Sequence, residues 1–461
     1  MSHMPLPDPQ AAAAPGPRGH FFVGSLPEFT HDLPGTMAHN FALYGDMVRY
    51  RVGPRTIFVL SHPELAQEIL VERQREFPKF EGKNGLGIVV GNGLIANVDH
   101  DSWLTQRRMM QPMFHRKRLA AMGDKLSASG ERMVNRWSTY TPGTTVDVGQ
   151  EMLQVTLDII TQTMFSADVL GQVGSIGPAV DVGIHYASYK LQNPFTAPAS
   201  WPTPRNRAYA AAQQTLDRVI YGFINQRRAS GEAPGDLLDM LLEARDADTG
   251  VQMSDQQIHD EVLTIFAAGH ETTANTLTFA WYLLSQYPQV LARLQAEIDT
   301  VLQGRTPTVA DLPQLPYTQQ VFKEAMRLYP AAPIVGPRRV LADTTVGGYS
   351  VPAGSRLIVS IYNIHRHPAL WEKPLLFNPD RFAPEQSANR HHLAFMPFGA
   401  GPRKCIGNNL AEMEGPLLLA FGAQRYELRM QPGQPIETEM AITLRPKDGL
   451  HMTLHPRTVQ A

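Results

Sequence analysis

The most regular pattern of apolar and polar positions in this chain runs from Ser254 to Tyr287. Apolar or small residues recur there at spacings of three and four, which places them on one face of a helix. Ser254 with Gln257 three positions later predicts a capping box at the start, and Pro288 predicts the end. About 33 residues in a helix would span roughly 50 Å, long enough to cross the whole molecule. The positions on this face are Ile258, Val262, Ile265, Gly269, Thr272 and Thr276.

The middle of this face changes from apolar to small and polar, at Ala268-Gly269-His270-Glu271-Thr272-Thr273. A glycine inside a helix costs about 1 kcal/mol relative to alanine, so this position requires a reason. A flat macrocycle pressed against the helix would be one reason, and a locally weak helix without function is the alternative. Threonine hydroxyls can also bond back to helix carbonyls and loosen a turn.

Alternating apolar and polar positions elsewhere predict short strands and hairpins. These are 48–53 and 56–60 with a Gly-Pro turn between them, a hairpin in 345–361 around Pro352-Ala353-Gly354, and a last hairpin of 440–446 with 450–454. Between 118 and 245 the pattern is mostly helical, with breaks at 141–143, 171–177 and 193–204. The sequence therefore predicts a mainly α protein with small β-sheet regions.

Composition is ordinary for a globular chain, since 43% of the 461 residues are hydrophobic and 18% are charged. A net charge of −2 does not favour a nucleic-acid partner or an acidic membrane surface. No run of 18 apolar residues occurs, so no membrane span is predicted. Residues 1–20 are rich in proline and alanine and lack the features of a signal peptide, which predicts a flexible leader before one large domain, 21–461. A single cysteine fits a reducing compartment, and we expect a cytoplasmic protein.

That cysteine lies in Phe398-Gly399-Ala400-Gly401-Pro402-Arg403-Lys404-Cys405-Ile406-Gly407. A lone thiol cannot form an internal disulfide, so it serves either packing or chemistry. The flanking glycines, Gly401 and Gly407, let the backbone bend sharply or let a large flat partner approach. The residues after Gly407 predict a helix, and the positive end of its dipole, together with the cation of Arg403, favours a thiolate at Cys405.

Three chemical uses of a thiolate can be compared. Structural zinc needs several cysteines or histidines at close spacing, and a papain-like nucleophile needs a positioned histidine, which is not near Cys405 in sequence. His365 and His367 have no further ligand nearby, so they do not indicate a metal site. The remaining use is as the axial ligand of haem iron.

The pattern Phe398-x-x-Gly401-x-Arg403-x-Cys405-x-Gly407 resembles the haem-ligand signature of the cytochrome P450 family. The resemblance extends over about residues 21–456 and implies the cytochrome P450 fold, with a long central helix and haem b held by Cys405. Residues 268–273 resemble the oxygen-activation motif of that family, which implies Thr272 as the catalytic alcohol and Glu271 as the acid.

Further cofactor contacts are implied by the same resemblance. Trp103 and Arg107 share one helix face; an isolated pair of this kind is usually a cation–π pair at the surface, but the resemblance implies that both donate to the haem propionates. Arg338 is implied as another propionate-binding residue. The cofactor-binding set is therefore Trp103, Arg107, Gly269, Arg338, Phe398, Arg403, Cys405 and Gly407.

Two other charged groups have a structural or a docking interpretation. Glu324 and Arg327 are three apart on a predicted helix and, with Arg381, resemble the buried network that supports the cysteine loop in this family. Residues 108–118 are locally basic through Arg108, Arg116, Lys117 and Arg118. This stretch is either a solvated helix face or a docking patch for an acidic electron-transfer protein.

The function implied is a haem-thiolate monooxygenase of the soluble bacterial type, which inserts one atom of O2 into a small apolar substrate such as a fatty acid, terpenoid, steroid or aromatic compound. No flavin or iron–sulfur motif is present, so the electrons would come from a separate ferredoxin or flavodoxin-type donor with its reductase. Alternatives are a peroxide-driven oxygenase or rearrangement enzyme and a non-catalytic haem-binding sensor or carrier. Because none of these needs a proton relay, the pair Glu271–Thr272 argues against them. We expect a monomer without a nucleic-acid partner.

Overall fold

The computed structural model describes residues 11–80, 85–166, 176–193, 196–246, 248–430, 436–440 and 442–457, except the side chain of residue 192. Helices dominate these ranges. The α-helices are Leu26–His31, Leu33–Tyr44, Pro63–Gln67, Gly87–Val90, His100–Met110, Arg116–Ala120, Gly123–Ser138, Val148–Phe165, Ile176–Gln192, Pro204–Ser230, Leu237–Glu243, Asp255–Gln286, Pro288–Leu302, Pro316–Leu328, Ile361–Ile364, Pro384–Ser387 and Asn408–Arg425. The strands are Ala12–Ala13, Met47–Val52, Arg55–Leu60, Thr145–Asp147, Ile334–Arg339, Thr344–Val346, Tyr349–Val351, Arg356–Ser360, Tyr426–Met430, Thr438–Met440, Leu444–Pro446 and His451–Pro456.

The chain forms two compact units. Residues 1–81 and 323–405 belong to the first, and residues 82–322 and 406–461 belong to the second. The expected single domain of 21–461 stays a prediction. Within the described ranges, none of the helices combines the length and the apolar character that a membrane span requires.

The first unit is built on a four-stranded sheet. Its strand order is Met47–Val52, Arg55–Leu60, Arg356–Ser360 and Ile334–Arg339. The two central strands are parallel and the outer pairs are antiparallel. In Met47–Val52, Val48 and Tyr50 are buried while Arg49 and Arg51 are exposed, which is the alternation that predicted this strand correctly.

A smaller three-stranded sheet in the same unit corrects two predictions. Thr344–Val346 and Tyr349–Val351 form the hairpin, whose turn is Gly347-Gly348 and not Pro352-Ala353-Gly354. Ala12 and Ala13 pair with Tyr349 and Ser350, so the predicted leader contacts the first unit from residue 12 onward. Residues 1–10 of that leader lie outside the described residues.

The second unit is mainly helical and contains the long helix, Asp255–Gln286. Ser254 accepts a hydrogen bond from the Gln257 amide, and the next helix begins at Pro288, so both predicted boundaries are confirmed. The long helix packs against Val148–Phe165, where a Cβ on Gly269 would lie 2.7 Å from Ile160 Cδ1. Close packing of two helices is therefore one physical reason for this glycine.

Two small sheets complete the second unit. His451–Pro456 pairs with Tyr426–Met430 and with Thr145–Asp147. Thr438–Met440 pairs with Leu444–Pro446. The predicted pairing of 440–446 with 450–454 is therefore wrong, since each segment pairs with a different strand.

Candidate functional site

The predicted site residues are divided between the two units. Arg338, Phe398, Arg403 and Cys405 belong to the first unit, whereas Trp103, Arg107, Gly269, Glu271, Thr272 and Gly407 belong to the second. Each group is described within its own unit.

The loop that carries Cys405 is closed by backbone hydrogen bonds. The amide of Cys405 donates to the carbonyl of Phe398 over 2.9 Å, and the amide of Lys404 donates to Gly401 over 3.1 Å. Cys405 is exposed and Phe398 is half-buried. The loop therefore presents the thiol from a backbone whose conformation is fixed.

Gly401 is required by this loop for two reasons. Its φ of +69° lies in the left-handed region, which side chains rarely adopt. A Cβ at this position would lie 1.9 Å from the carbonyl oxygen of Leu70, so the loop backbone and Leu70 approach too closely for any side chain. Sequence analysis gave two reasons for this glycine, a sharp bend or the approach of a large flat partner. The bend is present, and the group that approaches Gly401 is the backbone of Leu70.

Arg338 is a buried cation on the strand Ile334–Arg339, only 7% exposed. This strand neighbours the cysteine loop, because a Cβ on Gly399 would lie 4.0 Å from Val335 Cγ2. Burial lowers the pKa of Arg338 to about 10, and no carboxylate among the described residues pairs with its guanidinium. A buried cation without an acidic partner is costly, so the position fits a ligand that brings negative charge.

The predicted charge network is present and fully buried. Arg327 donates to both oxygens of Glu324 over 2.7 Å, and Arg381 Nε lies 3.4 Å from Glu324 Oε1. Arg327 also donates to the carbonyls of His365, Pro374 and Leu376. The network thus joins the helix Pro316–Leu328 to the chain that leads into the cysteine loop.

His365 continues this support and was missed as a structural residue. Its Nε2 accepts a hydrogen bond from the Met396 amide over 2.9 Å, two residues before Phe398. Burial, and next the nearby Arg327, lower the pKa of His365 to about 3, so the ring is neutral. Sequence analysis considered this histidine only as a metal ligand and rejected that role, and nothing local indicated a backbone partner 31 positions away.

In the second unit, the long helix has one accessible strip. Between Ile258 and Trp281, all of which are described, only four positions are not fully buried. They are Ala267, Ala268, Gly269 and Thr272. The strip consists of small side chains, so a flat or bulky ligand can approach the helix backbone there.

Thr272 and Glu271 have different partners on this helix. Thr272 Oγ1 donates to the carbonyl of Ala268 over 2.8 Å. Because its proton is used in that bond, the hydroxyl offers lone pairs to anything bound at the strip. Glu271 is buried and accepts a 2.7 Å hydrogen bond from Thr443, while Arg445 Nη1 lies 3.9 Å from the same oxygen. Sequence analysis missed these two partners, which lie more than 170 positions away.

Trp103 and Arg107 lie on the helix His100–Met110, which Asp99 caps through the Ser102 amide. Trp103 is 3% exposed and Arg107 is half-buried. The Trp103 indole therefore does not lie at the surface, as the alternative of a surface cation–π pair would require. The helix is fixed through Gln106, which donates to the carbonyl of Asn92 over 2.9 Å. Asn92 in turn donates to Asp260 on the long helix.

The basic stretch is only partly available for docking. Arg108 is paired with Asp246 over 2.9 Å and also with Asp248. Arg116, Lys117 and Arg118 are exposed, and none of them forms an ion pair with a described residue. Asn409, four positions after Cys405, donates to the carbonyl of Phe114, which lies within this stretch, two positions before Arg116.

Gly407 directly precedes the helix Asn408–Arg425, as predicted, and its carbonyl accepts the amide of Ala411 over 3.1 Å. Glu414 on this helix is fully enclosed, and burial raises its pKa to about 8, with a hydrogen bond from Thr273 opposing the shift. The hydrogen bond between Thr273 and Glu414 therefore joins the long helix to the helix that follows the thiol. Both helices belong to the second unit.

Comparison with known proteins identifies the family. The family model described as Cytochrome P450 matches residues 14–453. Cyclooctatin synthase from Streptomyces melanosporofaciens is 37% identical over 445 residues, which are 94% of this chain and 95% of that protein. Cyclooctat-9-en-7-ol 5-monooxygenase from the same organism is 35% identical over 419 residues, 89% of each chain.

A solved structure, the cytochrome P450DA heme domain, superposes with a TM-score of 0.88 at 27% identity, over 97% of this chain and 98% of that one. These matches agree with the mainly helical fold and with the cysteine-loop signature. The chain therefore belongs to the cytochrome P450 family and is a cytochrome P450 monooxygenase.

Proposed function

We propose that this monooxygenase inserts one oxygen atom from O2 into an apolar terpenoid, with haem b held by Cys405. The observation that carries the proposal is the exposed Cys405 thiol, presented by a loop whose amide is fixed to the Phe398 carbonyl. The thiol also lies three positions before the first residue of the helix Asn408–Arg425, whose N-terminus favours the thiolate form.

The cofactor contacts follow from charge and space. When bound, the haem supplies the redox chemistry that activates dioxygen. Arg338 would pair with a propionate, which accounts for a buried guanidinium without an acidic partner among the described residues. Trp103, Arg107 and Arg403 would donate to the propionates as well. Phe398 and Gly407 would flank the thiolate, and the strip around Gly269 would leave room on the long helix.

Proton delivery is the role proposed for Glu271 and Thr272. Glu271 accepts a hydrogen bond from Thr443 at Oε1, and its carboxylate would relay a proton towards the strip after that bond opens. Thr272 Oγ1, whose own proton bonds to Ala268, would accept a hydrogen bond from water at the strip and orient it. Both side chains come from successive positions of one helix, so their relative placement is fixed.

The substrate class rests on the strip and on the relatives. Small side chains at Ala267, Ala268 and Thr272 would leave space for a rigid polycyclic molecule without a charged group. Cyclooctat-9-en-7-ol 5-monooxygenase is named for an alcohol. We therefore take terpenoid hydrocarbons and their alcohols as the first substrates to test.

The iron ligand is tested with Cys405→Ser in the purified holoprotein. We expect the thiolate-type band of the reduced carbon-monoxide complex to disappear, because serine cannot supply a thiolate. Lys404→Ala, a change at the neighbouring exposed position, should keep the band. A thiolate-type band that persists in Cys405→Ser would contradict the assignment.

Thr272→Ala separates the O2-driven reaction from the peroxide-driven alternative. With O2, reductant and a terpenoid substrate, product formation per reductant consumed should fall by roughly 10–100-fold, since a positioned acid–base group is lost. With hydrogen peroxide alone, the variant should match the wild type. Thr276→Ala is a matched control, because that hydroxyl also bonds back to a helix carbonyl, 2.9 Å away on Thr272. Equal losses in both variants would argue against the role of Thr272.

We further propose that a separate acidic donor, of the ferredoxin or flavodoxin type with its reductase, docks at Arg116, Lys117 and Arg118. Their exposure supports this side of the second unit, as does the hydrogen bond from Asn409 to the Phe114 carbonyl within the same unit. We expect a monomer in the cytoplasm, where Cys405 stays a reduced thiol.

The docking proposal is tested with the double variant Arg116→Glu/Arg118→Glu. The catalytic efficiency with an acidic [2Fe–2S] ferredoxin should fall about tenfold or more at low salt, and the loss should shrink as salt screens the charges. Arg207→Glu/Arg218→Glu, which reverses two exposed charges on the helix Pro204–Ser230, is the matched control. Equal loss in both double variants would contradict the docking site.

A further inference from the structure

Three side chains that are distant in sequence converge in the first unit: Asp46, His62 and His367. One potential ligand atom from each lies within 4.8 Å of the other two. His367 Nε2 is 3.0 Å from Asp46 Oδ1, and the rings of His62 and His367 meet edge to face at 5.5 Å. Sequence analysis dismissed His367 as a metal ligand because no partner was near it in the chain, and the fold supplies two.

Each of the three side chains is placed by regular structure. Asp46 lies between the helix Leu33–Tyr44 and the strand Met47–Val52, and its carbonyl accepts the Ser61 amide over 2.8 Å. His62 is the N-cap of the helix Pro63–Gln67. The amide of His367 donates to the carbonyl of Ile364, the last residue of a short helix. The cluster is therefore held by the fold before any ligand arrives.

The cluster can be reached from solvent, since the side chains of Asp46 and His62 are 45% and 25% exposed, while His367 is 9% exposed. His391 and His392 stack at 4.8 Å nearby. His62 also lies close enough to His391 to act on it electrostatically.

We propose that Asp46, His62 and His367 form a binding site for a divalent transition-metal ion, with Zn²⁺ as the best match. Two imidazole nitrogens and one carboxylate oxygen are borderline ligands that suit Zn²⁺ and do not suit Ca²⁺ or Mg²⁺. Water would complete the coordination. The ion takes the place of the proton that joins His367 Nε2 to Asp46, and the neutral imidazole then carries its single proton on Nδ1.

The surroundings also limit the affinity. The Nδ1 atoms of His62 and His367 accept the amides of Glu64 and Ala369, over 3.3 and 3.1 Å. An imidazole that binds a metal through Nε2 carries its remaining proton on Nδ1, so both contacts are lost on binding. In strong zinc sites, the Nδ1–H of such a histidine instead donates to a hydrogen-bond acceptor such as a carboxylate or a carbonyl. The site is therefore expected to have a dissociation constant of about 1 μM or weaker, which corresponds to a modest binding free energy.

The experiment uses chelator-treated holoprotein titrated with zinc chloride in a calorimeter. One ion should bind per chain. The variants Asp46→Asn, His62→Gln and His367→Gln should each weaken binding about tenfold or more. His39→Gln, an exposed histidine on the helix before Asp46, is the matched control and should bind as the wild type does. Calcium chloride should not compete.

X-ray absorption spectroscopy at the zinc edge of the wild-type complex does not depend on how well the variants fold. The nearest shell should contain nitrogen and oxygen at about 2.0–2.2 Å with imidazole scattering. A sulfur shell would place the ion on Cys405 and overturn the proposal. The proposal would also be overturned if the wild type bound no zinc, or if all three ligand variants bound zinc as tightly as the wild type. Loss of affinity only in His391→Gln/His392→Gln would overturn it as well.

Discussion

At the scale of single residues, Gly401 makes the sharpest prediction. Gly401→Ala should destabilise the holoprotein, because the new methyl group would lie 1.9 Å from the Leu70 carbonyl in addition to the strain of a positive φ. Gly354→Ala is the matched control, since Gly354 has φ of +80° in the same unit and nothing within 4 Å of a Cβ. Backbone strain alone costs about 1–2 kcal/mol.

Thermal unfolding and haem content of the two variants measure the difference. Gly354→Ala should keep its haem and unfold a few degrees lower. Gly401→Ala should unfold at a lower temperature still and lose haem, since the displaced loop carries Cys405. If the two variants behave alike, the contact with Leu70 is not what requires glycine in this loop.

The same scale shows which site residues the sequence could reveal. Cys405 could be proposed from the sequence because its neighbours form a local pattern of glycines and one arginine. His365 was not, because its role depends on a hydrogen bond to Met396 that only the fold creates. The partners of Glu271 were missed for the same reason, since Thr443 and Arg445 contact it from a distant hairpin.

At the scale of elements, the buried network around Arg327 should matter more than its ion pair alone suggests. Arg327 satisfies Glu324 and three backbone carbonyls, whereas Arg381 makes one longer contact with Glu324 and one hydrogen bond to Lys373. Removing one partner of a buried pair costs about 3–5 kcal/mol. Arg327→Met should therefore lower the unfolding temperature and haem retention far more than Arg381→Met.

Expression level, haem content and thermal unfolding of both variants would check this order. Both substitutions remove one arginine from the same carboxylate, so the comparison measures what Arg327 adds through its two shorter bonds to Glu324 and its bonds to the carbonyls of His365, Pro374 and Leu376. An equal or larger effect of Arg381→Met would show that these carbonyl contacts contribute little.

Elements were predictable where their signals are local. Asp255–Gln286 was found from a capping serine, a periodic face and a proline beyond its end. The hairpin predicted in 345–361 was assigned the wrong second strand. Arg356–Ser360 is not part of the hairpin and pairs in parallel with Arg55–Leu60, about 300 positions earlier. Alternation predicts that a segment is a strand but does not name its partner.

At the scale of the whole molecule, two buried carboxyl groups predict a loss of stability in alkali. Burial raises the pKa values of Glu261 and Glu414 to about 8, from an ordinary value of 4.5. The folded chain holds these protons more tightly than the unfolded chain does. Their contribution to stability is therefore complete below pH 4.5 and is lost as the pH rises to about 8.

The unfolding temperature of the wild type should thus be lower at pH 9 than at pH 6. Glu261→Gln/Glu414→Gln should reduce this difference by about 2–4 °C, because glutamine stays neutral throughout. Glu131→Gln, at an exposed position of the helix Gly123–Ser138, should leave it unchanged. An identical pH dependence in the buried double variant and the wild type would contradict the prediction.

The short strand at Ala12–Ala13 has a practical consequence for trimming the protein. A fragment cut to the family match would start at residue 14 and lose this strand, although the match itself would be intact. Its removal would expose the backbone edge of Tyr349–Val351 to solvent or to another chain, and an unpaired edge invites aggregation. Recombinant versions should therefore keep residue 12, and purification tags are best joined ahead of it.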